Sequence, residues 1–142
     1  MKRLLIISLI LIVLDQITKF IFTGKEYLIS NVGINYVENT GAAFGMFKDL
    51  NWFFIVFSIL VIVFIFYYYK KIKWKFPLIL ILAGTIGNLI DRIFFGYVRD
   101  FFMIWIWPVF NIADICITVG VLLLVFYLYR EDKTYKSKNI RK

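Results

Sequence analysis

Four long apolar runs constrain this chain more than any other feature. They cover residues 4–22, 52–69, 76–94 and 112–129. At about 1.5 Å of rise per residue, each is close to the roughly 20 residues that cross about 30 Å of hydrocarbon. A hydrophobic content of 62% and a mean hydropathy of +0.83 also lie outside the usual range of soluble domains. The sequence therefore predicts a single integral membrane domain, residues 1–142, with four helical spans.

The first apolar run has a second interpretation, because Lys2 and Arg3 precede it as they would in a secretory signal peptide. Asp15 and Lys19 interrupt the run, and no small-x-small cleavage site follows it. We therefore expect a membrane span here and not a leader that is removed.

Lysine and arginine are distributed unevenly between the ends of the four runs. Twelve of the seventeen lie before the first run, between the second and third, or after the fourth. The positive-inside rule then places both termini in the cytoplasm and segments 23–51 and 95–111 outside. The basic tail, residues 130–142, is expected to be solvated and disordered. The net charge of +8 thus indicates topology and contact with anionic membrane lipids, and we expect no nucleic-acid partner.

The sequence contains one cysteine, Cys116, and no histidine. This excludes an intrachain disulfide, a Cys/His zinc site and a Ser-His-Asp triad. Any chemistry has to use Asp, Glu, Lys, Ser or Asn side chains or a borrowed cofactor, and we expect neither a metal ion nor another cofactor.

Three of the four runs carry polar residues at helical spacing, all toward the predicted outer side. They are Asp15 and Lys19 in the first run, Asn88, Asp91 and Arg92 in the third, and Asn111, Asp114 and Thr118 at the start of the fourth. In the third run Gly84 and Gly87 extend this stripe and permit close approach of another helix. A charge inside the bilayer costs at least about 2.5 to 3.5 kcal/mol, so these residues are expected to face the bundle interior.

The acidic residues of this cluster differ in what surrounds them. The matched charges Asp15 with Lys19, and Asp91 with Arg92, favour ion pairs that lock helices together. Asp114 has no basic neighbour in sequence, and on a strand Arg99 would point away from Asp100. Two carboxylates that share a site hold one proton between them and so supply a general base and a general acid.

These residues alone leave several functions open. The chemistry of Asp100 and Asp114 suits water-mediated peptide hydrolysis, but it also suits a proton relay in a carrier. Four short spans with no repeated half and no broken helix argue against a carrier. A serine/lysine protease using Lys19 has only Ser30 on the outer side and no evident geometry, and a non-enzymatic helical scaffold remains a third class.

Five motifs occur in order along the chain. They are "DQITK" (15–19), "NTGAAFG" (39–45), "GNLIDR" (87–92), "VRDFF" (98–102) and "FNIAD" (110–114). Together, on a four-span chain, they resemble the signal peptidase II family, the lipoprotein signal peptidases. The chain departs from the family pattern at Ile115, where a small polar residue is expected, which affects only local packing.

The resemblance implies a membrane aspartic endopeptidase of the bacterial inner or cytoplasmic membrane. It would remove the signal peptide from diacylglyceryl-modified prolipoproteins on the amino side of the lipidated cysteine, near the outer membrane face. Asp100 and Asp114 would be catalytic, without a decision on which is base and which is acid. The matched positions that would shape the site are Asp15, Lys19, Asn39, Gly41, Asn88, Asp91, Arg92, Asn111 and Ala113. Membrane lipids are further partners, and a monomer is expected.

The outer segment 23–51 alternates polar and apolar residues in "YLIS" and "INYVEN", which predicts short strands or a hairpin at the membrane surface. Gly41, Gly45 and the turn at Asn39 supply the backbone freedom of a cradle and partial lid over the two aspartates. Asn39 either donates a hydrogen bond to the substrate or stabilises its own turn. The predicted fold class is an all-α membrane protein, a four-helix bundle with a small extracytoplasmic β-rich cradle.

Overall fold

The structure is a computed structural model that describes residues 2–41 and 50–140. The helices are α1 (Lys2–Phe22), α2 (Asn51–Tyr68), α3 (Phe76–Phe94) and α4 (Ile112–Ile140), and the strands are β1 (Glu26–Ile29), β2 (Val32–Asn39) and β3 (Val98–Ile104). All four helices are long and apolar enough to cross a membrane. The predicted four-helix bundle with a small β-rich part is therefore confirmed, while Gly45 of the predicted lid lies outside the described residues.

Helix α3 is the centre of the bundle. Two thirds of its span is buried, against 17% in each of the other three, and it packs against all of them. Its small residues make this possible: a Cβ atom on Gly84 would lie 2.3 Å from the carbonyl oxygen of Ala113 in α4, and one on Gly87 would lie 2.7 Å from Oδ2 of Asp15 in α1. The predicted close approach along the glycine stripe is thus confirmed.

All three strands lie in the connections at one end of the bundle, here called the sheet end. They form an antiparallel sheet in the order β1-β2-β3, and β1 and β2 form the predicted hairpin. Strand β2 contains a bulge, because Ile34 pairs with Phe102 but Val37 pairs with Asp100. One extra residue reverses the face on which later side chains lie. The bulge therefore places the Asn39 side chain on the same face of the sheet as Asp100.

The prediction of a disordered tail from residue 130 is wrong, because α4 continues to Ile140. The segment contains Arg, Glu and Lys, which favour helix, and no Gly or Pro that would end one. A helix that is already nucleated extends at little cost per residue. Contacts one turn apart support the extension, with the Lys133 ammonium 4.8 Å from the ring centre of Tyr129.

Candidate active site

Asp100 of β3 and Asp114 in the first turn of α4 line one pocket of about 280 Å³ at the sheet end. The connection between the two residues turns back on itself. Phe110 pairs with Phe102 through backbone hydrogen bonds in both directions, of 2.8 and 3.0 Å. This pairing brings the start of α4 beside β3, so two carboxylates separated by thirteen residues in the sequence become neighbours.

Asn111 joins the two carboxylates. Its Nδ2 donates to Oδ1 of Asp100 at 2.6 Å, and its backbone N–H donates to Oδ2 of Asp114 at 3.1 Å. The Asp114 N–H donates in return to Oδ1 of Asn111 at 2.9 Å. The reciprocal pair is a capping box at the start of α4, so the helix terminus itself fixes the position of Asp114.

Two further asparagines hold the remaining carboxylate oxygens. Nδ2 of Asn39 donates to Oδ2 of Asp100 at 2.8 Å, and Nδ2 of Asn88 donates to Oδ1 of Asp114 at 2.8 Å. Each of the four carboxylate oxygens thus accepts one hydrogen bond from an asparagine. These donors are neutral, so they orient the carboxylates without a direct ion pair.

The protonation of Asp100 follows from its surroundings. Burial raises the pKa of Asp100, the neighbouring Asp114 carboxylate raises it further, and the pKa reaches about 7. The hydrogen bonds from Asn39 and Asn111 and the positive charge of Lys19 act in the opposite direction. At neutral pH the pair of carboxyl groups can therefore exchange a proton with a bound molecule, as acid and base chemistry requires.

A buried charge network lies behind the pocket. The Lys19 Nζ atom lies 2.8 Å from Oδ2 of Asp15 and 3.4 Å from Oδ2 of Asp91, and it donates to Oδ1 of Asn88 at 2.9 Å. The predicted pairing of Asp15 with Lys19 is confirmed. Because Asn88 accepts from Lys19 through its oxygen, its amide nitrogen is directed toward Asp114.

The expected pairing of Asp91 with Arg92 is wrong. Asp91 pairs with Arg99, whose Nη2 lies 2.8 Å from Oδ1 of Asp91. Adjacent residues on a helix point in different directions, so Arg92 instead donates to the Gly41 carbonyl at 3.2 Å and lines the carboxylate pocket. Arg99 does point away from the carboxylate pocket, as predicted from its position on a strand.

The other predicted positions also lie in or against this assembly. The Gly41 N–H donates to Oδ1 of Asn39 at 3.0 Å, and the Ala113 N–H donates to Oδ1 of Asp15 at 2.9 Å. Sequence reasoning missed Gln16, which accepts a hydrogen bond from Arg99 at 2.9 Å and donates to the carbonyl of Gly87 at 3.1 Å. Its only signal was an amide inside an apolar run.

The acidic side chains are not arranged as metal ligands. Among residues 2–41 and 50–140, no three His, Cys, Asp or Glu side chains cluster as a metal site would require. The oxygens of Asp100 and Asp114 accept hydrogen bonds from amide N–H groups, and the partial positive charge of these groups would disfavour a cation bound there.

Fold and site together define a class of protein: a small polytopic membrane protein with two neighbouring carboxylates at one end of its helical bundle. Residues 7–130 match the family model described as signal peptidase (SPase) II, and the chain belongs to that family of proteases. The resemblance seen in the five motifs is confirmed.

Individual relatives agree with this assignment. The chain is 40% identical over 139 residues to a lipoprotein signal peptidase of Halothermothrix orenii, covering 90% of this chain and 96% of the relative. It is 38% identical over 140 residues to one of Symbiobacterium thermophilum, covering 87% and 92%. A solved bacterial membrane enzyme, determined at 2.3 Å resolution, superimposes with a TM-score of 0.85 at 27% identity, covering 94% of this chain and 92% of that one.

Proposed function

We propose that this protein is an aspartic endopeptidase that removes the signal peptide from diacylglyceryl-modified prolipoproteins, cleaving on the amino side of the lipidated cysteine. The observation that carries the proposal is the junction at Asn111, which holds Asp100 and Asp114 side by side in one pocket. Membership of the signal peptidase II family supplies the substrate class.

The two carboxyl groups supply the chemistry without a covalent intermediate. The ionised one takes a proton from a water molecule, which attacks the carbonyl carbon before the modified cysteine. The protonated one donates to the carbonyl oxygen and then gives its proton to the leaving amine. The pKa of about 7 for Asp100 keeps a shared proton available near neutral pH. Either residue can take either role.

The remaining site residues act on these two. Asn39, Asn88 and Asn111 orient the carboxylates, and Gly41 with Arg92 lines the pocket where the substrate backbone would lie. Lys19 brings a positive charge close to the pair through its hydrogen bond to Asn88, while Asp15 and Asp91 balance that charge. Ala113 permits the close contact between α4 and α3.

The proposed location is the bacterial cytoplasmic membrane, with both termini in the cytoplasm. Supporting this, four helices bring both ends of the chain to the same side, and that side carries most of the lysine and arginine residues. The sheet end and its carboxylates then face outward, where the lipidated cysteine meets water. A monomer, forming one domain, suffices because a single chain supplies every group named above.

The test is cleavage of a diacylglyceryl-modified precursor by purified protein carrying Asp100→Asn or Asp114→Asn. Each change keeps the shape of the side chain and removes its acid and base function, so each should abolish cleavage. Glu131→Gln is the matched control, since that exposed carboxylate lies near Lys73 at the other end of the bundle. Cleavage at the normal rate by either folded aspartate variant would refute the catalytic assignment.

A further inference from the structure

Arg99 comes directly before Asp100 on β3, and the proposed mechanism gives it no role. Its side chain is buried, which is rare for a charged residue unless it is paired. Its backbone N–H and its Nε both donate to Oδ2 of Asp91, at 2.9 and 3.2 Å, and its Nη2 donates to Oδ1 of Asp91 at 2.8 Å. Nη2 also donates to Oε1 of Gln16 at 2.9 Å. We call these four hydrogen bonds the Arg99 bridge.

The Arg99 bridge joins three elements of the fold. Asp91 lies in the last turn of α3, Gln16 lies in α1, and Arg99 lies on β3. The guanidinium group is planar, and its fork of donors matches both oxygens of a carboxylate. The group also lies over the Phe95 ring, with Cζ 4.4 Å from the ring centre. The carboxylate and the ring thus hold the guanidinium group from two sides.

Helix α3 is thereby connected to both carboxylates of the pocket. Asn88 donates directly to Oδ1 of Asp114 at 2.8 Å. Asp91 lies three residues further along α3 and so on the same side of the helix. It binds Arg99, whose neighbour in the chain is Asp100. One turn of α3 thus holds Asp114 through a side chain and holds the β3 backbone beside Asp100 through the Arg99 bridge.

The contact on the other side of Asp100 is apolar. Phe101 is fully buried, and its ring centre lies 5.0 Å from that of Phe22 in α1. Apolar burial has no preferred direction, so this contact tolerates small rotations and shifts of the strand. Charge-assisted hydrogen bonds between a guanidinium group and a carboxylate fix both distance and angle. The Arg99 bridge, unlike the Phe101 contact, therefore fixes the orientation of β3 relative to α3.

Arg99 acts on Asp100 through the backbone. Successive side chains on a strand point to opposite faces, so the guanidinium group lies on the side away from the carboxylate pocket. Among the described residues, those that line the pocket do not include Arg99. Its charge is balanced by Asp91, at 2.8 Å. A change at Arg99 should therefore move the Asp100 carboxylate without altering the groups that touch it.

We propose that Arg99 is a positioning residue of the active site; this rests on the proposed function. The Arg99 bridge holds Asp100 at the distance from Asp114 at which both carboxyl groups act on one substrate carbonyl. A reaction that needs two correctly placed groups is sensitive to such a contact, since a misplacement of about 1 Å can cost about a hundredfold in rate.

The test compares Arg99→Met with Arg99→Lys in cleavage of a diacylglyceryl-modified precursor, with kcat counted per folded protein. Arg99→Met keeps the length of the side chain and removes its donors. Its kcat should fall by between about tenfold and about a hundredfold, while KM changes less than about twofold. Arg99→Lys restores the charge beside Asp91 but not the planar fork. It should recover most of the melting temperature and little of kcat.

The matched control is Arg130→Met. Arg130 is exposed on α4 and also lies over a phenylalanine ring, with Cζ 5.8 Å from the ring centre of Phe126. This variant should keep both kcat and KM. If Arg99→Met does not fold, Arg99→Lys decides alone, because the proposal requires a kcat well below the wild-type value at a melting temperature near that of the wild type.

Three results would overturn the positioning role while leaving the peptidase function intact. They are an unchanged kcat in the folded Arg99 variants, recovery of the wild-type kcat by Arg99→Lys, and an equal loss in Arg130→Met. A rise in KM alone would also overturn it, since Arg99 would then act in substrate binding. A wild-type protein that does not cleave the lipidated precursor would instead overturn the proposed function itself.

Discussion

Asn39 takes part both in the turn that follows β2 and in the carboxylate pocket. Its Oδ1 accepts a hydrogen bond from the Gly41 N–H, and its Nδ2 donates to Oδ2 of Asp100 at 2.8 Å. We predict that Asn39→Ala lowers kcat for precursor cleavage by between about tenfold and 150-fold. The predicted alternative, that Asn39 merely stabilises its own turn, concerns only the first of these two contacts.

The magnitude follows from the contact with Asp100. A hydrogen bond to a charged group contributes about 1.5 to 3 kcal/mol, and each 1.4 kcal/mol corresponds to a factor of ten. The same contact lowers the pKa of Asp100, so its loss should raise that pKa from about 7. If loss of the Asp100 proton limits the rate in alkali, the alkaline limb of the kcat profile should move to higher pH in Asn39→Ala.

A second variant separates the two contacts. Asn39→Asp keeps an oxygen that can accept from the Gly41 N–H, but it replaces the donor to Asp100 with a third carboxyl group. Stability should therefore change less than in Asn39→Ala, while kcat should fall further because the new carboxylate faces Asp100. Turnover on a lipidated precursor and the melting temperature, measured on the same preparations, give both quantities.

The control is Asn35→Ala on the same strand, where the side-chain amide donates to the sulfur of Met103 at 3.4 Å and is not among the described residues that line the carboxylate pocket. This variant should keep its kcat and its pH profile. If the Asn39→Ala variant cleaved the precursor at the wild-type rate but had a clearly reduced melting temperature, Asn39 would only stabilise its own turn. It would then not belong to the active site.

Three further predictions concern stability. Asp91→Asn removes the buried carboxylate that pairs with Arg99, while Lys19 keeps its pair with Asp15. The change should cost about 3 to 5 kcal/mol of unfolding free energy, against at most about 1 kcal/mol for Glu131→Gln in its exposed pair. Chemical denaturation in detergent measures both. Gly84→Ala should cost about 1 to 3 kcal/mol in the same assay, because the new methyl group meets the backbone of α4, and an unchanged midpoint would contradict the packing. Folding raises the pKa of Asp100 above its ordinary value of 3.8, so the wild-type protein loses stability as pH rises from about 4 to about 7. Asp100→Asn lacks this group, and its stability relative to wild type should rise by at most about 4 kcal/mol over that range. Thermal melts that show the same difference at every pH would refute this sign.

The features that sequence predicted well are those that local patterns determine. Each membrane span follows from the length of an apolar run, and the stripe containing Gly84 and Gly87 follows from helical spacing. The β-hairpin follows from alternation. These patterns are set by residues close in sequence, and the structure has them where the patterns indicated.

The features that sequence reasoning missed depend on tertiary contacts. The partner of Asp91 is Arg99 because a strand returns against α3, which no local pattern shows. The bulge in β2 carries no glycine or proline as a signal, yet it decides that Asn39 faces Asp100. The helical tail was missed for the opposite reason: its polar composition suggested disorder, although a helix already formed by the preceding span needs no apolar face to continue.

The choice of asparagine around the two carboxylates has a physical consequence for catalysis. An arginine or lysine bonded directly to Asp100 would lower its pKa and hold it ionised at neutral pH. The amides of Asn39 and Asn111 orient Asp100 while leaving its pKa near 7, and the Lys19 ammonium is kept one residue away, behind Asn88. The cations that the buried acids need for stability are thus directed to Asp15 and Asp91, and the pair that shares a proton is held by neutral donors. This division explains how one small bundle can contain three buried aspartates and a half-buried fourth, Asp114, and still keep two of the four able to transfer a proton.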